Sequence, residues 1–199
     1  MLRGPHGLRN LNFMPLSAAS RSPDISNSEF RWQSLESHVL APSSVLRRWL
    51  QDEGSLTKQL INLSGNQFRV KLISESWETL TSTILLSQFG PLQPAHKFWS
   101  RKVVLLGKGE EWVAAHTLIP EYSLLGPLQQ VMSLKSKPLG EYLFSHPDLI
   151  RCELDFTPLP GQGWGRRSLF YLYGKPIMVA EFFLPAMLAV LQSNSTSTS

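Results

Sequence analysis

The run from Ile177 to Leu184 alternates as a strand, with Ile177, Val179, Glu181 and Phe183 on one side and Met178, Ala180, Phe182 and Leu184 on the other. Apart from Glu181, both sides are apolar. Such a strand belongs inside a sheet covered on both faces, which leaves Glu181 as a carboxylate that needs a cation, hydrogen bonds or a proton. The run from Phe98 to Leu106 has the mirror-image anomaly. Trp99, Arg101, Val103 and Leu105 share one of its sides, and Arg101 is the lone charge among them. Two readings follow. In one, Arg101 and Glu181 form a buried structural ion pair. In the other they line a cavity, where the arginine's planar fork grips a ligand carboxylate and the glutamate meets a hydroxyl.

Further alternating runs predict strands near Phe68 to Glu78, Glu111 to Ile119, Asp148 to Thr157 and Arg167 to Tyr173. Gly107 to Glu110 and Tyr173 to Pro176 read as hairpin turns, so most sequential neighbours are expected to be antiparallel. Ser43 or Ser44 can cap a helix carrying Val45, Leu46, Trp49 and Leu50; Gly54 ends it, and Ser55 can cap a second helix from Leu56 to about Leu63. Pro138 suits the first position of another, with Leu139, Tyr142 and Leu143 on one face, and Ala186 to Leu191 reads as a closing helix. With 199 residues and 42% hydrophobic content, one core is expected, in a domain spanning residues 35–192. Residues 1–34 carry Arg3, Arg9, Arg21 and several serines with no acid before Asp24, which reads as a disordered leader or a targeting segment. Residues 193–199 are serine, threonine and asparagine, a disordered tail.

The composition narrows the chemistry. One cysteine, Cys152, excludes an intrachain disulfide and a cysteine-cluster metal site. The five histidines, His6, His38, His96, His116 and His146, show no metal-ligand spacing, and His116 beside Trp112 and Ala114 reads as a core histidine. No apolar run approaches the roughly 20 residues of a membrane helix. A net charge of +4 without a Lys/Arg run fits small anionic ligands better than a phosphate backbone. The basic segment Trp164-Gly-Arg-Arg-Ser168 reads as a solvated corner, with Arg166 or Arg167 available to steer an anion.

Six ordered segments resemble the chorismate lyase family: Ser55-Leu-Thr-Lys58, Phe98-Trp-Ser-Arg101, Trp112 through Pro120, Lys137-Pro-Leu-Gly140 with Tyr142-Leu-Phe144, Trp164 through Ser168, and Gly174-Lys-Pro through Pro185. The resemblance implies a single α+β domain, with a six-stranded antiparallel sheet and an internal ligand cavity closed by two helical flaps. It implies conversion of chorismate to 4-hydroxybenzoate and pyruvate, without metal or cofactor, at the entry of ubiquinone synthesis. Arg101 matches the arginine that binds the ring carboxylate, and Glu181 the glutamate near the ring hydroxyl; these are the expected catalytic pair. Leu56 and Leu139 match substrate-binding flap positions. Leu56 stands where a methionine is common, and His116 where the compared bacterial enzyme has arginine. The expected protein is a cytoplasmic monomer with no nucleic-acid or membrane partner, or an organellar one if residues 1–34 target it. A rival of another class is a non-catalytic effector-binding domain of a transcription regulator, which this chain would carry without a basic helix-turn-helix domain ahead of it.

Overall fold

Six strands form one antiparallel sheet: β1 (Phe68–Thr79), β2 (Lys97–Gly107), β3 (Glu110–Pro120), β4 (Ile150–Pro158), β5 (Trp164–Leu172) and β6 (Lys175–Phe183), in the order β1-β2-β3-β6-β5-β4. The structure, a computed structural model, describes residues 23–26, 29–90, 97–159 and 163–196. Both expected hairpins are tight two-residue turns. Lys108 (φ 54°) and Gly109 (φ 86°) join β2 to β3, and Tyr173 (φ 53°) and Gly174 (φ 69°) join β5 to β6, the left-handed pairs that match strand twist. The strand that is apolar on both sides, β6, sits inside the sheet between β3 and β5.

The sheet is covered on both faces. On the front lie α1 (Ser44–Gln51), α2 (Leu56–Leu63), α4 (Leu139–Phe144), α5 (Pro185–Thr196) and a 3-10 segment, Gly126–Ser133. Ser43 caps α1 and Ser55 caps α2, each hydroxyl accepting a backbone N–H of the first turn. Leu46 and Leu50 of α1 and Leu56 and Leu60 of α2 pack with Trp112, Trp164, Met187 and Leu191, so the expected helix pair is core structure. On the back lie the short α3 (Thr83–Ser87), absent from the sequence reading although Ser82 caps it, and a strap of residues 24–26 and 29–34.

Three expectations change. The expected leader runs through residue 34, yet Ile25 is buried at 3% exposure and Phe30 and Trp32 pack against Phe182, 5.5 and 5.9 Å between ring centroids. The back face is apolar at Ala114, Leu118, Ala180 and Phe182 and needs that cover. Residues 1–22 of the expected leader lie outside the described residues. At the other end, residues 193–196 continue α5 in place of a disordered tail. Finally, β5 begins at Trp164, three residues before the expected Arg167. The segment read as a solvated corner is therefore buried strand: Arg166 is 1% exposed and Arg167 7%.

Candidate functional site

Between the sheet and its front-face helices lies a pocket lined mainly by apolar side chains, with a few polar groups among them. The sheet supplies its floor: Arg101, Val103 and Leu105 from β2, Ala115 and Thr117 from β3, Val179 and Glu181 from β6, and Phe170 from β5. Its roof is the start of α2, at Leu56 and Thr57, and of α4, at Leu139 and Gly140, with Pro138, Leu143 and Phe144. All four residues singled out in the sequence, Leu56, Arg101, Leu139 and Glu181, line this one space. The two helix starts meet closely. A Cβ on Gly140 would stand 2.9 Å from Thr57 Oγ1, so glycine lets the two flaps close on each other.

Arg101 and Glu181 do not pair with each other. The register runs Arg101, Thr117, Val179 straight across β2, β3 and β6, and Glu181 is two residues further along β6. Two strand spacings across and two residues along put their Cα atoms about 12 Å apart. Each instead has its own partner on an adjacent strand. Arg101 Nε donates to Glu75 Oε1 at 3.1 Å, with Glu75 directly opposite on β1, and Nη2 donates to the carbonyls of Lys135 at 2.7 Å and Lys137 at 3.0 Å. Its Nη1 has no partner among the described residues. Burial pulls the Arg101 guanidinium below its ordinary pKa, and the Glu75 carboxylate opposes that. Glu181 Oε2 accepts from Arg166 Nε at 2.6 Å, with Arg166 directly opposite on β5, and Oε1 has no partner among the described residues. Thus the expected Arg101–Glu181 ion pair is replaced by two separate ones, while both residues line the pocket and each keeps an atom without a partner among the described residues.

The sequence reading passes over Glu75 and puts Arg166 in a solvated corner instead of beside Glu181. The signal for Arg166 was its parity with Phe170 and Leu172, both core residues on the front face, which a strand started at Arg167 hides. Arg167 has the opposite parity and serves the back face, bonded to Asp155 Oδ2 at 2.9 and 3.0 Å and lying 4.9 Å over the Trp32 ring. Near Glu181, burial holds the Arg151 guanidinium below its ordinary pKa and the Arg166 charge adds to that, while Glu181, Glu53 and Asp52 oppose it.

His116 lies on the back face, away from the cavity, fully buried as a core histidine. Its Nδ1 accepts the Ile25 amide at 3.1 Å, and Nε2 meets Ser100 Oγ at 2.9 Å. Burial pushes the neighbouring Asp24 carboxyl up, and the 3.4 Å contact with His116 and bonds from Lys102 and Ser26 bring it well below the ordinary carboxylate range. With Nδ1 committed to the Ile25 amide, the donors to Asp24 are Lys102 Nζ at 2.6 Å and Ser26, whose Oγ and N–H stand at 2.6 and 2.9 Å. Among the described residues no three His, Cys, Asp or Glu side chains come together as a metal site, and no helix is long and apolar enough to cross a membrane.

Three comparisons bear on this geometry. The family model described as "Chorismate lyase" matches residues 27–191. The chorismate pyruvate-lyase of Enterobacter sp. (strain 638) is 38% identical over 140 residues, 69% of this chain and 81% of that protein. That of Photorhabdus laumondii subsp. laumondii is 38% identical over 157 residues, 78% and 89% of the two chains. Among solved structures, PhnF from Mycobacterium smegmatis aligns with a TM-score of 0.51 at 12% identity, covering 68% of this chain and 66% of that one. The last is a likeness of fold alone.

Proposed function

The chain belongs to the chorismate lyase family, and we propose that it converts chorismate to 4-hydroxybenzoate and pyruvate inside the front-face cavity. The observation that carries this reading is the placing of a guanidinium and a carboxylate, each with spare bonding capacity, at opposite ends of one apolar space. The product has the same layout, a carboxylate and a hydroxyl at the two ends of a ring.

Chorismate is one elimination short of aromatic. Loss of the hydrogen from the ring carbon that bears the hydroxyl, cleavage of the neighbouring C–O bond and protonation of the enolpyruvyl methylene give 4-hydroxybenzoate and pyruvate. The atoms balance without a further reactant. The proton passes either directly from ring to methylene or with Glu181 as carrier. In this reading Arg101 Nη1 takes the ring carboxylate, and Glu181 Oε1 accepts the ring hydroxyl. Backbone N–H groups at the starts of α2 and α4, at Leu56 and Leu139, add donors for the carboxylate, since the first N–H groups of a helix have no partner within it. The apolar walls at Val103, Leu105, Phe170 and Val179 exclude water from the reacting atoms. The protein would act as a cytoplasmic monomer supplying ubiquinone synthesis, which sedimentation and cell fractionation would check.

Incubating the purified protein with chorismate tests the activity. The expected result is 4-hydroxybenzoate and pyruvate in equal amounts, faster than the spontaneous reaction. Saturable binding of chorismate with no acceleration would replace the reading with that of an effector-binding domain.

A further inference from the structure

Arg166 is 1% exposed, and its hydrogen bonds run in two directions. Nε donates to Glu181 Oε2 at 2.6 Å. Nη1 faces the carbonyls of Trp49 at 2.8 Å, Leu50 at 3.2 Å and Asp52 at 2.7 Å. Those carbonyls end α1 and begin the turn into α2, whose Leu56 and Thr57 roof the cavity. One guanidinium therefore holds both the carboxylate on the cavity floor and the backbone from which a flap springs. Lysine is a single point charge and cannot serve both ends; a planar fork can. Arg151 grips the same turn, donating from Nη1 to Glu53 O at 2.8 Å and reaching Asp52 O at 3.4 Å, with no hydrogen bond to Glu181. The molecule thus contains two clamps on one turn, only one of which touches the carboxylate.

We propose that Arg166 is a positioning residue for chorismate turnover, fixing Glu181 with Oε2 occupied and Oε1 left for the ligand, and tying that orientation to the seated position of α2. The inference rests on the reading of the cavity as the chorismate site. Arg166 would not bond the ligand. It would act through Glu181, which separates it from an arginine that merely caps the end of α1.

The test is a kinetic cycle over Arg166→Gln, Glu181→Gln and the double variant, with Arg151→Gln as control, and with rates referred to the folded fraction counted by 4-hydroxybenzoate titration. Arg166→Gln is expected to lower kcat by roughly 10- to 100-fold with KM changed by less than about threefold, since a misplaced group costs rate more than ground-state binding. In the Glu181→Gln background the same change is expected to cost nothing further, because the residue it acts through is already gone. Arg151→Gln is expected to lower the melting temperature and leave kcat within about twofold. Where Arg166→Gln does not fold, Arg166→Lys takes its place, with the same cycle and a smaller drop. An equal fall in both Glu181 backgrounds, a loss of melting temperature alone, or an equal kcat loss from Arg151→Gln would each overturn the assignment. Failure of the wild-type protein to convert chorismate would instead overturn the reading beneath it.

Discussion

At the scale of single residues, Arg101 and Glu181 are each half-used. Arg101 commits Nε and Nη2 to protein acceptors and keeps Nη1, and Glu181 gives Oε2 to Arg166 and keeps Oε1. Arg101→Ala should then have two separable effects. Glu75 and two carbonyls lose their donor, but Glu75 is partly exposed at 17% and the cavity has room for water, so stability should fall by about 1–3 kcal/mol. Stabilisation by 4-hydroxybenzoate, which in the wild type should reach about 2.7 kcal/mol at a concentration 100 times Kd, should vanish. Thermal shifts with and without the product measure both; a retained ligand shift would remove Arg101 from the site. Glu181→Gln keeps the shape and a hydrogen bond to Arg166, so it should still bind product while turnover drops roughly 10- to 100-fold. Full activity in that variant would leave the carboxylate without a role. That these two residues are unusual was legible in the sequence, because each is one charge in an apolar alternation. Their partners were not, because Glu75 opposite Arg101 and Arg166 opposite Glu181 follow from strand register, which no single segment contains.

Among the elements, those with strong alternation were read almost to the residue: Phe98 to Leu106, Glu111 to Ile119 and Ile177 to Leu184 became Lys97–Gly107, Glu110–Pro120 and Lys175–Phe183. The strap was illegible for a physical reason. Ile25, Phe30 and Trp32 make no sustained helical or strand period, and what covers them is the face they lie on. Its anchor is testable through Asp24, whose carboxyl burial pushes up but His116, Lys102 and Ser26 together bring well below the ordinary range. A depressed pKa contributes stability that is present above the unfolded value, about 3.9, and lost as pH falls below it. Asp24→Asn should therefore lower the melting temperature at pH 7, with the gap to wild type closing as pH falls below about 4. A gap that persists unchanged into acid would mean the ion pair is not the anchor. The flaps offer a second test. Gly140→Ala sets a methyl 2.9 Å from Thr57 Oγ1 and should hold the starts of α2 and α4 apart, speeding release of 4-hydroxybenzoate. Adding Thr57→Ala should restore slow release. No change in the release rate in the single variant would show that the seam is not what retains product.

The whole molecule is a sheet with two unlike faces, a cavity with its flaps on one side and a strap over apolar residues on the other. The general outline of α+β with an antiparallel sheet was legible from hairpin turns and alternation. The order β1-β2-β3-β6-β5-β4 was not, since the β3–β6 pairing spans a long stretch of chain. One feature of this arrangement, the burial of Arg101 at 2% exposure with Glu75 behind it, governs how the protein should respond to ionic strength. A chain of net charge +4 draws a dianion such as chorismate through solvent, where mobile ions screen the attraction; going from about 0.01 M to about 1 M salt shortens the Debye length from about 30 Å to about 3 Å. In the proposed site its carboxylate would meet a guanidinium buried out of reach of counterions. Added salt should slow encounter and lower kcat/KM, yet leave kcat and the product dissociation rate flat. Dissociation that quickens with salt would place the gripping charge at the surface instead of behind the flaps.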